Sequence, residues 1–237
     1  MDTSLIIFIQ KLRSLVNVPP YYSLLKKIHS RLKPQKYIEI GIYHGESLVL
    51  ANKKTECIGV DPNPKIRTNL NKNTKIFKMT SDDYFAQYSD SIRPVDLAFI
   101  DGMHLFEFVL RDFINLEKVC TPSSIIMMHD TMPKDELTST RVMSANFWTG
   151  DVYKIIPILQ KYRPDLKIYN TNDKFSGLAI IKNLNPNSTV LMDNYNKIVD
   201  EFMNYNLDFK NKSKVLDLKP LRGVKKFLHT NKNNMPV

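Results

Sequence analysis

Apolar residues recur along this chain in two alternating rhythms: compact runs of strand length, and longer stretches spaced by three and four. Thr3 to Val16 places Leu5, Phe8, Ile9, Leu12, Leu15 and Val16 on one helical face before Pro19 and Pro20 end it. A second helix is predicted over Tyr21 to Leu32, with Leu24, Leu25 and Ile28 inward and Lys33-Pro34 closing it. Short β-type runs follow at Tyr37 to Ile40, Cys57 to Val60, Lys75 to Met79, Val95 to Ile100 and Ile125 to Met128. Those at 95–100 and 125–128 are nearly all apolar, as strands buried on both faces must be. Between them lie a helix-like segment after Gly45, a helix opening near Thr80, Ser81 and Asp82, and a helix over Leu105 to Val119. A turn is predicted at Thr121 to Ser124.

Past Met128 the rhythm breaks. Thr131 to Gly150 is polar and irregular and holds the single tryptophan, Trp148; a loop of that length in a compact domain is usually functional. A helix is expected over Asp151 to Tyr162, kinked or broken at Pro157, then two strands at Leu166 to Tyr169 and Leu178 to Ile181 joined by a turn-rich stretch. A last helix is predicted from Thr189 to Tyr205, and Pro220 to Thr230 has the spacing of a short basic amphipathic helix. Alternation of strand and helix with a closing strand pair predicts an α/β fold: a Rossmann-like, open, mostly parallel sheet with helices on both faces and an antiparallel terminal strand pair. The expected organisation is a helical extension over 1–34, a cofactor-binding domain over 35–205 and a basic tail over 206–237.

Charge alters this picture only at the end of the chain. The net charge is +10, but eight Lys or Arg against Asp217 alone fall between Lys210 and Lys232, so seven of the ten excess charges sit there. The body is close to neutral, which disfavours a nucleic-acid reading and leaves the tail as a candidate contact for an anionic membrane surface or a neighbouring subunit of a homo-oligomer. Cys57 and Cys120 lack metal-type spacing and read as free thiols of a reducing compartment. The apolar run Leu5 to Ile9 is too short to span a bilayer, so a cytoplasmic protein, peripheral at most at the inner membrane face, is expected.

The chemistry concentrates at strand ends. Lys36 to Asp61 reads strand, glycine turn, helix-like segment, strand, acid, which is the layout of a nucleotide-binding crossover. A dinucleotide fingerprint needs glycine where Glu39 stands, and a carboxylate there would face a pyrophosphate. It suits a ligand with a cationic centre. Asp101 and Gly102 end the fourth strand, His104 stands three residues beyond Asp101, and His129 and Asp130 end the fifth.

EIGIYHG after the first strand, Asp61 after the second, Ser81-Asp82 after the third and FIDGMH at the end of the fourth together resemble the class I S-adenosylmethionine-dependent methyltransferases, over roughly Lys36 to Lys182. FIDGMHLFEFVLRD, a strand ending in His-Asp, and TGDVYK resemble a bacterial subgroup of small-molecule O-methyltransferases that modify sugars or natural products. The resemblance implies S-adenosylmethionine as cofactor, with Glu39, Gly41 and Gly45 around its methionine and ribose, Asp61 on the ribose hydroxyls, Ser81 and Asp82 at the adenine, and Tyr43, His44 and Asp101 nearby. It implies a small-molecule or glycan hydroxyl as acceptor. Two mechanisms stay open: His104 as general base, or Asp101 and Asp130 holding a divalent cation such as magnesium, with Thr131 as a third oxygen. The competing expectations are a nucleic-acid methyltransferase gripping phosphates with its tail, and a non-catalytic membrane- or partner-binding protein on the same scaffold.

Overall fold

The computed structural model describes residues 20–143, 147–173 and 175–229. The helix expected over Thr3 to Val16 therefore lies outside the described residues. Within them the strands are β1 (Lys36–Ile40), β2 (Glu56–Val60), β3 (Thr74–Phe77), β4 (Val95–Ile100), β5 (Cys120–His129), β6 (Lys167–Asn172), β7 (Leu178–Lys182) and β8 (Leu218–Pro220). They form one sheet in the order β3-β2-β1-β4-β5-β7-β6-β8. β3 through β5 run parallel, β7 is antiparallel to both β5 and β6, and β8 is parallel to β6. The mostly parallel α/β sheet with an antiparallel β6–β7 pair is the fold that the alternating pattern predicts.

Both faces are covered, because the central strands present apolar side chains on both. On one face α3 (Phe106–Val119) packs Phe106, Leu110 and Phe113, each fully buried, against Ile38, Ala98 and Ile126. α4 (Ile155–Tyr162) lies in the same layer. On the other, α1 (Pro20–Leu32) sets Tyr21, Leu25 and Ile28 against Tyr37, Phe99 and Met127. α2 (Ser81–Tyr88) is capped by Thr80, whose hydroxyl accepts the Asp83 N–H at 3.2 Å.

Several expectations shift. The helix-like segment after Gly45 is a single 3₁₀ turn, Leu48–Leu50. The turn at 121–124 is absorbed into β5, where the Ser124 hydroxyl accepts the Thr121 N–H and donates to the Val95 carbonyl. Pro157 does not break its helix: it falls in the first turn of α4, where its missing N–H has no helical partner to lose. The helix expected over Thr189 to Tyr205 is two, α5 (Val190–Asp193) and α6 (Tyr195–Met203), parted at Asn194. The basic segment also joins the body. After α7 (Lys212–Val215) it adds β8 to the sheet edge, buries Leu216, and seats α8 (Val224–His229) beside α1 through buried Val224.

The strand order reverses between β1 and β4: the chain leaves β1 for β2 and β3, then returns to β4 on β1's other side. Ligands of open parallel sheets bind in the crevice outside the carboxyl ends at such a point.

Candidate active site

β1 and β4 run in register with Ile40 opposite Ile100, so the residues after each, Gly41 and Asp101, meet. The Asp101 N–H donates to the Ile40 carbonyl at 2.8 Å. Gly41 has φ +82°, and a Cβ built on it would lie 2.2 Å from the Asp101 carbonyl oxygen. Only glycine allows that approach.

Two strand-end segments, after β4 and at the end of β5, then bring four titratable side chains together. His104, in a tight turn at φ 50°, points Nδ1 at Asp130 Oδ2 (3.2 Å) and Nε2 at Asp101 Oδ1 (3.6 Å). His129 places Nδ1 3.1 Å from Asp101 Oδ1 and 3.4 Å from Asp130 Oδ1, while its Nε2 meets the Ser176 hydroxyl at 2.9 Å. Asp101 and Asp130 thus share two imidazoles. Trp148 stacks on His104 with centroids 5.3 Å apart, and its carbonyl lies 3.2 Å from Nδ1. Gly150 fixes this loop, since a Cβ there would sit 1.8 Å from the His104 carbonyl oxygen.

Burial alone would push both imidazoles down, but the two carboxylates outweigh it and raise His104 and His129 to about 9. Burial would likewise raise Asp101, yet His129 and His104 hold it below the usual carboxylate range. Asp130 is raised by burial, which its imidazole neighbours only partly offset. At neutral pH both rings are therefore imidazolium. A ring that already holds its proton cannot accept another, so His104 would serve as a base only after losing it.

One ligand atom from each of Asp101, His104 and Asp130 fits within 4.8 Å of the others. Two carboxylates and an imidazole suit Mn²⁺, Fe²⁺ or Zn²⁺ better than the all-oxygen set magnesium prefers. Thr131, expected as a third oxygen, is fully buried and donates its hydroxyl to Asn170 Oδ1 at 2.6 Å. His104 takes that place in the cluster.

The other sequence-predicted residues are spread along the neighbouring strand ends. Glu39 is fully buried below the cleft and accepts from the Tyr37 and Ser47 hydroxyls; burial pushes its carboxyl up to about 8. Asp61 Oδ2 accepts the Ile42 and Tyr43 N–H groups at 3.0 and 2.9 Å, and Oδ1 that of Asn63 at 2.7 Å, so this acid holds the glycine turn against β2. Gly45, at φ +78°, closes the turn by donating to the Ile42 carbonyl. Tyr43 is exposed and lies on His44 at 3.8 Å. Asp82 pairs with Arg111 of α3 at 2.7 and 3.1 Å, and next to it burial raises the Asp112 carboxyl to about 7, an effect that nearby Ser81 only partly offsets.

A cleft of about 550 Å³ opens over Gly41, Asp101, His104 and Asp130. Tyr43, His44, His129 and Trp148 also line it, as does Glu46; Tyr21 and Tyr22 of α1, Phe147 and Phe175 are wall residues that the sequence did not single out. Tyr21 lies 4.0 Å from the His129 ring, and Tyr22 donates to Glu46. The signal was present in the Tyr21-Tyr22 pair opening an otherwise simple amphipathic helix. Nothing in the pattern says which end of that helix meets the cleft.

Residues 38–131, from β1 through the end of β5, match a family model described as a methyltransferase domain. Over this stretch the chain is similar to a methyltransferase domain. An uncharacterized protein of Acanthamoeba polyphaga mimivirus is 33% identical over 147 residues, 54% of this chain and 63% of its own length, so the chain spans less than two thirds of that relative. The domain's fold is shared with an O-methyltransferase from Bacillus cereus solved with SAH, at TM-score 0.54 and 15% identity over 76% of this chain and 91% of that one. It is shared also with the O-methyltransferase TomG of tomaymycin synthesis from Streptomyces achromogenes solved with SAM, at TM-score 0.55 and 14% identity over 78% and 91%. A SAH-bound methyltransferase of Podospora anserina gives TM-score 0.55 and 13% identity over 78% and 89%.

Proposed function

We propose that this protein transfers the methyl group of S-adenosylmethionine to a hydroxyl of a neutral small molecule or sugar bound over Asp101, His104 and Asp130. The observation that carries this reading is the four-membered Asp–His cluster facing the glycine turn of a methyltransferase-like domain across one cleft. The residues fit the cofactor: Gly41 leaves room for close approach, Asp61 Oδ1 keeps acceptor capacity for a ribose hydroxyl, and the carboxylates suit a sulfonium.

When bound, the cofactor supplies a methyl group already activated on a positively charged sulfur. The protein's task is alignment and removal of one proton. The Asp130 carboxylate, made more basic than usual by burial, would take the proton of the acceptor hydroxyl as that oxygen is methylated. The His104 imidazolium, 3.2 Å from Asp130 Oδ2, would lower the energy of the negative charge developing on the acceptor oxygen. Asp101 positions both rings. A divalent cation held by Asp101, His104 and Asp130 would supply the same stabilisation as a Lewis acid.

Two carboxylates and two imidazoliums compensate one another at the floor, and Glu46 adds a carboxylate at the wall, so the cleft offers no excess positive charge for an anionic acceptor. Its walls offer aromatic faces instead, which suit a hydroxylated ring. Calorimetry with SAM and SAH, with Asp61→Ala as the weakened control, tests the cofactor half; a wild-type protein without affinity for either ends the reading. A methyl-transfer screen across sugar nucleotides, glycans and catechols tests the acceptor half, with Asp130→Asn expected to bind SAH but not turn over.

A further inference from the structure

A second hollow, of about 970 Å³, lies away from the active site between α1 and the segment around α8. Lys26, Lys27 and Arg31 line it from α1, Arg222 and Lys225 from the other side, and no acidic residue lines it. Neither helix carries an acid, and among the described residues none of these five cations enters an ion pair. All five are exposed. Beneath them the floor is apolar, made of buried Ile28 and Val224 with Leu24 and Leu228 half-buried.

This hollow is built rather than incidental. The buried Lys182 ammonium donates to the Phe227 carbonyl at 2.9 Å, and the Tyr169 hydroxyl donates to the Pro220 carbonyl at 2.6 Å. Gly223 packs so closely that a Cβ would fall 1.9 Å from the Tyr169 oxygen. α8 is thereby held against the sheet edge, and its cations stand opposite those of α1.

We propose that the hollow between α1 and α8 seats the phosphate headgroups of an anionic phospholipid surface. Five exposed cations on two facing segments, with no acid among them, match in sign the phosphates of an anionic membrane surface, which attracts such basic clusters by about fivefold in affinity per charge. Single-stranded nucleic acid calls for exposed aromatic platforms, and the one ring of this segment, Phe227, is turned onto Tyr169 at 5.1 Å. The sequence leading into α1 agrees: Leu5, Phe8, Ile9, Leu12, Leu15 and Val16 stand at helical spacing, with Lys11 and Arg13 among them and Asp2 as the sole acid of residues 1–19.

The experiment is co-sedimentation of the full chain with vesicles of phosphatidylcholine alone and of phosphatidylcholine mixed with phosphatidylglycerol. Binding is expected only to the anionic vesicles and should fall with salt. Lys27→Ala with Lys225→Ala should weaken it by about fivefold for each charge removed, on the order of 25-fold for the pair. Lys75→Ala, an exposed cation on β3, should leave it unchanged, and both variants should keep the wild-type circular dichroism and melting temperature. If the paired variant melts early, Arg31→Gln with Arg222→Gln replaces it. The proposal is overturned by absent binding, by equal binding to neutral vesicles, or by equal losses in the Lys75 variant. It is overturned too if inorganic phosphate at matched ionic strength releases the protein, which assigns the hollow to a soluble phosphate. A concentration-dependent dimer that the paired variant abolishes, without vesicle binding, assigns it to a second copy. None of these outcomes depends on methyl transfer.

Discussion

Asp101→Asn should lower the pKa of both site histidines. The carboxylates raise His104 and His129 from an ordinary 6.5 to about 9, a shift of about 2.5 units, or about 3 kcal/mol for one ring at about 1.4 kcal/mol per unit. The rings share the same two acids, so the pair contributes well under twice that. His104 is 26% exposed and His129 11%, and solvent screening reduces the figure further for the first. Because the folded values are raised, this stability is fully present below pH 6.5 and is lost as pH climbs through about 9. Asp101 supplies a carboxylate oxygen to both rings, and its neutralisation should lower each by about 1 unit or more. The assay is NMR titration of the imidazole carbon-bound protons. It resolves each ring, which a stability profile does not: Glu39, raised to about 8, makes stability fall with pH over an overlapping range. Wild-type rings titrating near 6.5, or an Asp101→Asn protein with unchanged values, would refute the cluster electrostatics and the role given to His104.

Gly41→Ala should destabilise the fold by on the order of 3 kcal/mol in denaturant and abolish SAH binding, since the new methyl meets backbone rather than a movable side chain; an unshifted midpoint contradicts this. Glu117→Gln strands Arg163, 2% exposed and bonded at 2.6 and 3.0 Å, and should cost about 3 kcal/mol, toward the low end because Asp165 still faces the guanidinium. Arg111→Ala frees an exposed acid and should change stability by about 1 kcal/mol or less while leaving or improving SAH affinity. Asp82→Ala should weaken that affinity about tenfold if the acid meets the adenine, and calorimetry showing no loss removes it from the site. Mn²⁺ affinity should rise up to about tenfold per pH unit below pH ~9, because the His104 imidazolium must lose its proton to ligate; pH-independent binding excludes His104 as a ligand.

What could be read from the sequence was what the parallel sheet enforces. Runs such as Val95 to Ile100 are apolar on both faces, which marks a central strand, and the residue after each such run must emerge at the same edge of the sheet. That is why Gly41, Asp101 and Asp130 could be assigned to one cleft from order alone. The failures have a common cause: they depend on partners distant in sequence. Lys210 to Lys232 reads as a charged appendage, yet its sparse apolar positions, Leu216, Leu218 and Val224, find β6 and α1, 40 to about 200 residues away. The split at Asn194 and the 3₁₀ turn at Leu48–Leu50 are short-range choices that periodicity over a dozen residues cannot resolve.

The role proposed for His104 departs from what its local chemistry suggests. Its type and position three residues past Asp101 suggest a base near neutrality, and that argument treats the ring as facing one acid. The fold gives it two, because β4 and β5 are neighbours and Asp130 emerges beside Asp101. A second carboxylate favours the protonated ring, and in the mechanism proposed above the buried Asp130 carboxyl takes the part of the base instead. His129 then has a use that its residue type did not reveal. Tethered through Nε2 to Ser176, it balances the charge of Asp101, so that two acids can stand together at the end of a buried sheet without both taking up protons. Histidine at 129 and histidine at 104 are thus one electrostatic unit, and replacing either should move the titration of the other.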